Sequence, residues 1–355
     1  MNYDYNPFDG ANDFDYYGQM SVRDAKKAVS RTSLGIFLFL IVSSAVIVIS
    51  LTVLAAVLGK EKYLALANNP YFYIPMGTIA MHAIGFPFLW LSIRSLPTRR
   101  QSSKNSLTVL ELLATSPIMQ FVTNIGSSIG MGFDGIMQEL FHTTSENPVD
   151  MLTDGVPVWL MLTITVVIVP ILEELIFRKL LLDRLSIYGN VFAIIISAAL
   201  FGLFHGNLYQ LFYAFFAGLI FGYVTVKGGS WLYSVGLHIF MNFLSGALPT
   251  MLEGKLDAFE TALIAFSEGN GDAFVENFQS FMIVGSFLIL RSVLSIAGTI
   301  IFIYSIVKKT IYVRNAPEAS IPAGKLPVVI FANVGMILFL VYSAFSIVTQ
   351  YISIL

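Results

Sequence analysis

Nine stretches of the chain stay apolar long enough to read as membrane spans: 34–58, 70–93, 106–133, 157–177, 190–206, 207–226, 231–249, 280–307 and 326–352. About 20 apolar residues are needed to cross roughly 30 Å of hydrocarbon as a helix. The fifth stretch is short and meets the sixth with only Gly206 and Asn207 as punctuation. That pair predicts a tight hairpin whose turn lies inside the membrane, which is tolerable only where protein covers it. Before the first span, residues 1–22 are polar, acidic and dotted with aromatics, and read as a disordered cytoplasmic tail. The apolar part after it is too long for a cleaved signal and is expected to act as a first anchor of a membrane domain over 23–355. Residues 250–279 read as a long acidic outside stretch with a turn at Gly269, Asn270 and Gly271, and with room for a short amphipathic helix on the surface.

Composition agrees with the pattern. In 355 residues, 56% are hydrophobic and 12% charged, with a mean hydropathy of +0.76, which excludes an ordinary soluble globular protein. The expected fold class is an all-α, polytopic helical bundle of about nine transmembrane spans. The net charge of −2 is less informative than where the charges fall. Sixteen of the 20 basic residues lie in segments that are cytoplasmic if the N-terminus is inside, from Arg23 through Arg94, Arg178, Lys179, Arg184 and Lys227 to Lys325. Outside segments hold only Lys60, Lys62 and Lys255 against many acids. An odd number of spans then puts the C-terminus outside. The chain has no cysteine, which rules out a disulfide framework and thiolate metal ligands.

Against this background, ILEELIFRKL at Ile171 to Leu180 places Glu173, Glu174 and Arg178 where hydrocarbon is expected. Ionisable groups inside a span cost several kcal/mol unless paired or hydrated, and usually face the bundle interior. On a helix, Glu174 and Arg178 are four apart and can pair, with the acid in the favourable N-terminal place. Glu173 points about 100° away and has no local partner. Two of the four histidines fall in later spans: His205 in FGLFHG, and His238 in SVGLHIFMNFLSG one turn from Asn242. Glu173, His205, His238 and Asn242 make a donor set able to hold a water or a divalent metal. A partly desolvated carboxylate is a useful general base, and a histidine and an amide can donate to an oxyanion.

Taken together, E-E-x-x-x-R (Glu173, Glu174, Arg178), F-x-x-x-H (Phe201, His205) and H-x-x-x-N (His238, Asn242) resemble the three motifs of the CAAX-protease and bacteriocin-processing family of intramembrane peptidases, also called the Abi family, within 157–249. The resemblance implies an intramembrane endopeptidase with a cavity toward the cytoplasm. It implies Glu173 as the base, His205 as its partner, His238 and Asn242 as stabilisers of an oxyanion or a metal, and Glu174 with Arg178 as a structural brace. It leaves two chemistries open: a zinc metalloprotease holding its metal through Glu173, His205, His238 and Asn242, and a glutamate-activated water with no obligatory cofactor. Lys179 stands where many members have glycine after the arginine, which bears on the turn into the cytoplasmic segment.

Structural readings stand beside the functional ones. The acidic pair with its arginine reads also as a helix-end salt bridge, and each histidine as an interhelical hydrogen-bonding group. Phe201 is expected to pack one turn from His205. His82 and His142 have no matching partners and read as structural or solvated. Arg291 is expected to snorkel or to pair with an acid such as Glu111. Two other functions remain open: a family member without catalysis, acting as membrane scaffold or immunity protein, and a proton-coupled transporter, although no repeated halves are visible. The expected partners are the lipid bilayer and a membrane-associated peptide or protein substrate, with no nucleic acid, and the expected location is a multi-pass position in a bacterial plasma membrane. The threading puts Glu173 and His205 at opposite ends of their spans unless the 190–226 hairpin turns short.

Overall fold

The computed structural model describes residues 22–99, 107–144, 155–313 and 321–352, so the expected N-terminal tail lies outside the described residues. Among these residues the chain is all helix, with no strand. The elements are α1 (Val22–Leu58), α2 (Lys60–Ala67), α3 (Pro70–Ile93), α4 (Val109–Phe141), α5 (Val158–Tyr188), α6 (Asn190–Phe204), α7 (Leu208–Gly228), α8 (Leu232–Glu268), α9 (Gly271–Val307), α10 (Ala323–Phe331) and α11 (Val334–Thr349).

Six of these, α1, α3, α5, α7, α8 and α9, are long and apolar enough to cross a membrane, and α10 with α11, bent by 65°, form a seventh candidate. The expected span 190–206 is the 15-residue α6. At about 1.5 Å per residue it is too short to cross the hydrocarbon alone. The expected span 106–133 falls in α4, long but diluted by Thr, Ser, Gln and Asn. The stretch 250–268 is not a loop. Helix α8 continues through it, the chain turns at Gly269 in the left-handed region, and Asn270 caps α9 by accepting from the backbone N–H of Ala273. Stacking of Phe259 on Phe281, 5.8 Å between centroids, ties the two arms of this hairpin together.

Side chains sort as hydrocarbon solvent requires. The first half of α1 buries Ala25, Ala28, Val29, Thr32, Ile36, Phe39 and Ser43, at the three-to-four spacing of one helix face. Its second half exposes Val48, Ile49, Val53 and Val57, which suits a lipid-facing surface. Helices approach closely where glycine allows it. On α4, Gly126 and Gly130 face the backbone of Tyr213 and Leu208 on α7; Gly298 of α9 lies against Pro117 of α4, and Gly335 of α11 against Ser30 of α1.

Among the described residues four wide π-type turns interrupt the helices, at Ala80–Gly85, Leu162–Ile168, Leu175–Leu182 and Phe243–Ala247. Pro87, Pro170 and Pro249 each stand two residues after the first, second and fourth of these. Proline has no N–H for the preceding carbonyls and its ring crowds them, so the turn before it widens. The third has no proline and begins directly after Glu174.

Two expected loop features are corrected. Helix α5 runs on to Tyr188, so Arg178 and Arg184 lie on a helix, buried in the protein, and not in an exposed loop. Arg184 donates to the backbone carbonyls of Ile93 and Leu180. Glu111 is not a partner of Arg291: it caps α4 with Thr108 and pairs with Lys227 at 2.9 Å, while Arg291 lies over the ring of Phe287.

Candidate active site

The acidic pair sits at the end of the regular turn that follows Pro170, and both carboxylates are buried. The expected brace is present: Arg178 Nε donates to Glu174 Oε2 at 3.1 Å, with both side chains fully buried. Arg178 Nη1 donates to Ser197 Oγ at 2.7 Å, and Ser197 donates onward to the carbonyl of Phe177 at 2.9 Å, so α6 holds the brace. The guanidinium carbon lies 5.2 Å from the Phe201 ring centroid, 5.7 Å from Phe221 and 6.0 Å from Phe177. Aromatic faces of this kind stabilise a desolvated cation. Gly218 leaves the space: a Cβ there would stand 3.4 Å from Arg178 Nη2 and 3.0 Å from the backbone of Ala198.

Glu174 has a second partner that the motif spacing does not reveal. Its Oε1 lies 3.1 Å from His238 Nδ1. A carboxylate accepts, so Nδ1 carries a proton, and the tautomer this selects leaves Nε2 as the acceptor nitrogen. That nitrogen faces Glu173 Oε2 at 3.7 Å, too long for a direct hydrogen bond and suited to a shared water. The Phe221 ring stacks on His238 at 4.6 Å. Glu173, Glu174 and His238 are therefore brought together, and the two glutamates face different nitrogens of one imidazole.

His205 ends α6 with its Nδ1 2.9 Å from the carbonyl of Phe201. A carbonyl accepts only, so here too Nδ1 is protonated and Nε2 is free. Phe201 stands between the two histidines, its ring centroid 5.0 Å from His205 and 5.9 Å from His238, both edge-on. The aromatic of F-x-x-x-H is thus a spacer that sets both imidazoles. The short hairpin brings this about, because α6 stops at His205 and Gly206, at φ 63°, turns the chain into α7.

Asn242 is held by α5. Its amide nitrogen donates to the carbonyl of Thr165 at 3.0 Å. In the wide turn Leu162–Ile168 the N–H of Val169 returns to the carbonyl of Ile164, and the next partner in that pattern, for Thr165, is Pro170, which has no N–H. The side chain of Asn242 takes the missing place.

The zinc option finds no chelating geometry. Among the described residues no three His, Asp or Glu side chains gather closely enough to hold a metal, since Glu174 is committed to Arg178 and His238. No step below is routed through one. The remaining histidines stand apart from the carboxylates: His82 Nδ1 contacts the carbonyl of Thr78, and His142 ends α4 in the left-handed region.

Residues 155–244, which carry all of this geometry, match the family described as type II CAAX prenyl endopeptidase Rce1-like. A protein of Bacillus subtilis (strain 168) named "Putative membrane peptidase YdiL" is 32% identical over 157 residues, 43% of this chain. Residues 155–244 thus resemble the CAAX-protease family. The chain spans 62% of the length of that Bacillus relative. No solved structure matches the chain. The matched segment covers α5 to about a third of the way along α8, while α1, α4 and α11 pack against it from outside the matched residues and α9 packs on α4.

Proposed function

We propose that the protein is an intramembrane endopeptidase that cleaves a membrane-associated peptide or protein with a water activated by Glu173. The observation that carries this reading is the buried opposition of Glu173 Oε2 and His238 Nε2 at 3.7 Å, with the other face of the same imidazole fixed by Glu174. A water between them is polarised by the carboxylate and oriented by the ring. Glu173 takes its proton as the oxygen attacks the scissile carbonyl carbon. When the tetrahedral adduct collapses, the C–N bond breaks and Glu173 returns the proton to the leaving amine. His205, whose free Nε2 can only accept, faces the same Phe201 ring and accepts a hydrogen bond from the substrate's peptide N–H. Glu174 and Arg178 position His238 and carry no proton in the reaction. The expected location is a bacterial plasma membrane, and the substrate is bound from the bilayer.

The test uses purified full-length protein in lipid nanodiscs and two internally quenched peptides. One carries a prenylated cysteine near its C-terminus and the other an apolar helical anchor. Wild-type protein should cleave at least one, and Glu173→Gln should not. Equal rates for the two proteins would dispose of the proposal.

A further inference from the structure

The stabilisers that the motifs suggest for an oxyanion are partly occupied. His238 spends its Nδ1–H on Glu174, and Asn242 spends one amide hydrogen on Thr165. A developing negative charge in a dry site needs donors that are free before the reaction begins. We propose that Tyr213 on α7 is a further catalytic residue of this site, its hydroxyl donating to the oxyanion formed on the scissile carbonyl. This rests on the peptidase reading above.

The direction of the Tyr213 hydroxyl follows from a chain of fixed hydrogen bonds. Asn207 caps α7: its Oδ1 accepts from the backbone N–H of Gln210 at 2.8 Å, which can only donate. Its Nδ2 donates to the backbone carbonyl of His205 at 2.9 Å, which can only accept. The orientation of the Asn207 amide is therefore set by two backbone groups. Nδ2 also donates to Gln210 Oε1 at 2.8 Å, so the nitrogen of Gln210 must point the other way, and it donates to the Tyr213 oxygen at 3.0 Å. Tyr213 is thus an acceptor in the chain, and its own O–H is left to donate. Among the described residues that hydrogen has no acceptor. The chain begins at the carbonyl of His205, so the tyrosine is geared to the same turn that sets the histidine.

Two further features bear on where Tyr213 stands. The backbone of Tyr213 is pressed against Gly126 of α4, where a Cβ would come within 2.6 Å of the tyrosine Cα, so this part of α7 is held in place. Tyr213 also lies close enough to Glu173 to feel its charge. The hydroxyl stays protonated throughout: it donates a hydrogen bond to the oxyanion while Glu173 alone carries the proton from water to the leaving amine.

Tyr213→Phe removes the hydroxyl and keeps the ring. On whichever quenched peptide the wild type cleaves, kcat should fall by about 100-fold or more, the loss typical of one oxyanion donor, with KM changed by less than about twofold. The thermal midpoint should fall only modestly, by the loss of the one acceptor that Tyr213 offers to Gln210 Nε2. A peptidyl trifluoromethyl ketone, which hydrates to a tetrahedral diol, should bind the variant more weakly by about the factor lost in kcat/KM, while an uncleavable amide of the same sequence should bind equally well. A kcat within about threefold of wild type would overturn the proposal, as would equal weakening of ketone and amide. If wild type and Glu173→Gln are equally inert toward both peptides, the peptidase reading itself fails and the role of Tyr213 falls with it.

Discussion

The side-chain amide of Gln350 donates a 2.8 Å hydrogen bond to the backbone carbonyl of Gly206, across 144 positions of sequence. Ser346 Oγ donates to the same oxygen at 3.1 Å. This carbonyl belongs to the buried turn next to His205, where a backbone oxygen must find its partners within the protein. The end of α11 therefore closes the hairpin that the family segment alone leaves open. Gly206→Ala should be strongly destabilising, because φ 63° strains an L-residue by about 1–2 kcal/mol and the new Cβ would meet Ser346 Oγ at 2.6 Å. Gln350→Ala should cost about 0.5–1.5 kcal/mol and lower peptidase turnover by loosening His205. Thermal unfolding in detergent checks both. A Gly206→Ala protein as stable as wild type would show that the turn is not held in this way.

The two glutamates should fail differently. Among the described residues Glu173 makes no direct hydrogen bond to protein, so Glu173→Gln should abolish turnover and leave the thermal midpoint nearly unchanged. Arg178→Ala strands Glu174 in a fully buried place and should cost about 3–5 kcal/mol. Glu174→Gln should do both kinds of damage, since it weakens the Arg178 pair and releases the orienting bond to His238 Nδ1. Equal loss of stability in all three variants would sink this division.

How much of this was legible in the sequence depended on the kind of signal. Glu173, Glu174 and Arg178 stand out because charge in an apolar run is rare, and the Glu174 to Arg178 pair follows from helix geometry alone. The contact of Glu174 with His238 joins residues 64 apart and has no spacing to betray it. Gln350 and Ser346 bind a backbone carbonyl, which no side-chain pattern marks. Other signals were present but quiet. Asn207 before an apolar helix is an N-cap, Gly126 and Gly130 form a small-x-x-x-small pair, and prolines follow three of the wide turns. Residues 250–268 read as a stretch beyond the span with room for a short helix, and their acids conceal that this helix continues α8. Helix α8 simply carries those acids on its exposed faces, with Ala262 and Ala265 turned inward against α9.

Orientation in the membrane is a separate expectation, and it rests on the basic residues. Arg178 and Arg184 are buried in the protein and weigh less in that count, and Arg94, Arg99, Lys227, Lys308 and Lys309 lie on segments that the threading places inside. Alkaline phosphatase fused after Leu355 should be active in a bacterial host, and fused after Lys309 it should be inactive. The reverse pattern would overturn the proposed arrangement of the N-terminus inside and the C-terminus outside.

Metal dependence is the sharpest remaining test of the chemistry. A catalytic zinc commonly takes three protein ligands and keeps one position open for water. Here Glu174 and Arg178 neutralise one another, His238 gives its Nδ1–H to Glu174, and only Glu173 Oε2 and His238 Nε2 face each other, at 3.7 Å. Two donors with an amide nearby would hold a divalent ion weakly, and its occupancy would follow the concentration of free metal. Turnover of the quenched peptide should therefore survive exhaustive chelation, with less than stoichiometric metal by elemental analysis. Added zinc should not raise the rate of the stripped protein. Activity lost on stripping and recovered in proportion to bound zinc would mean that the donors rearrange around a metal, and that a water held only by Glu173 and His238 is the wrong nucleophile.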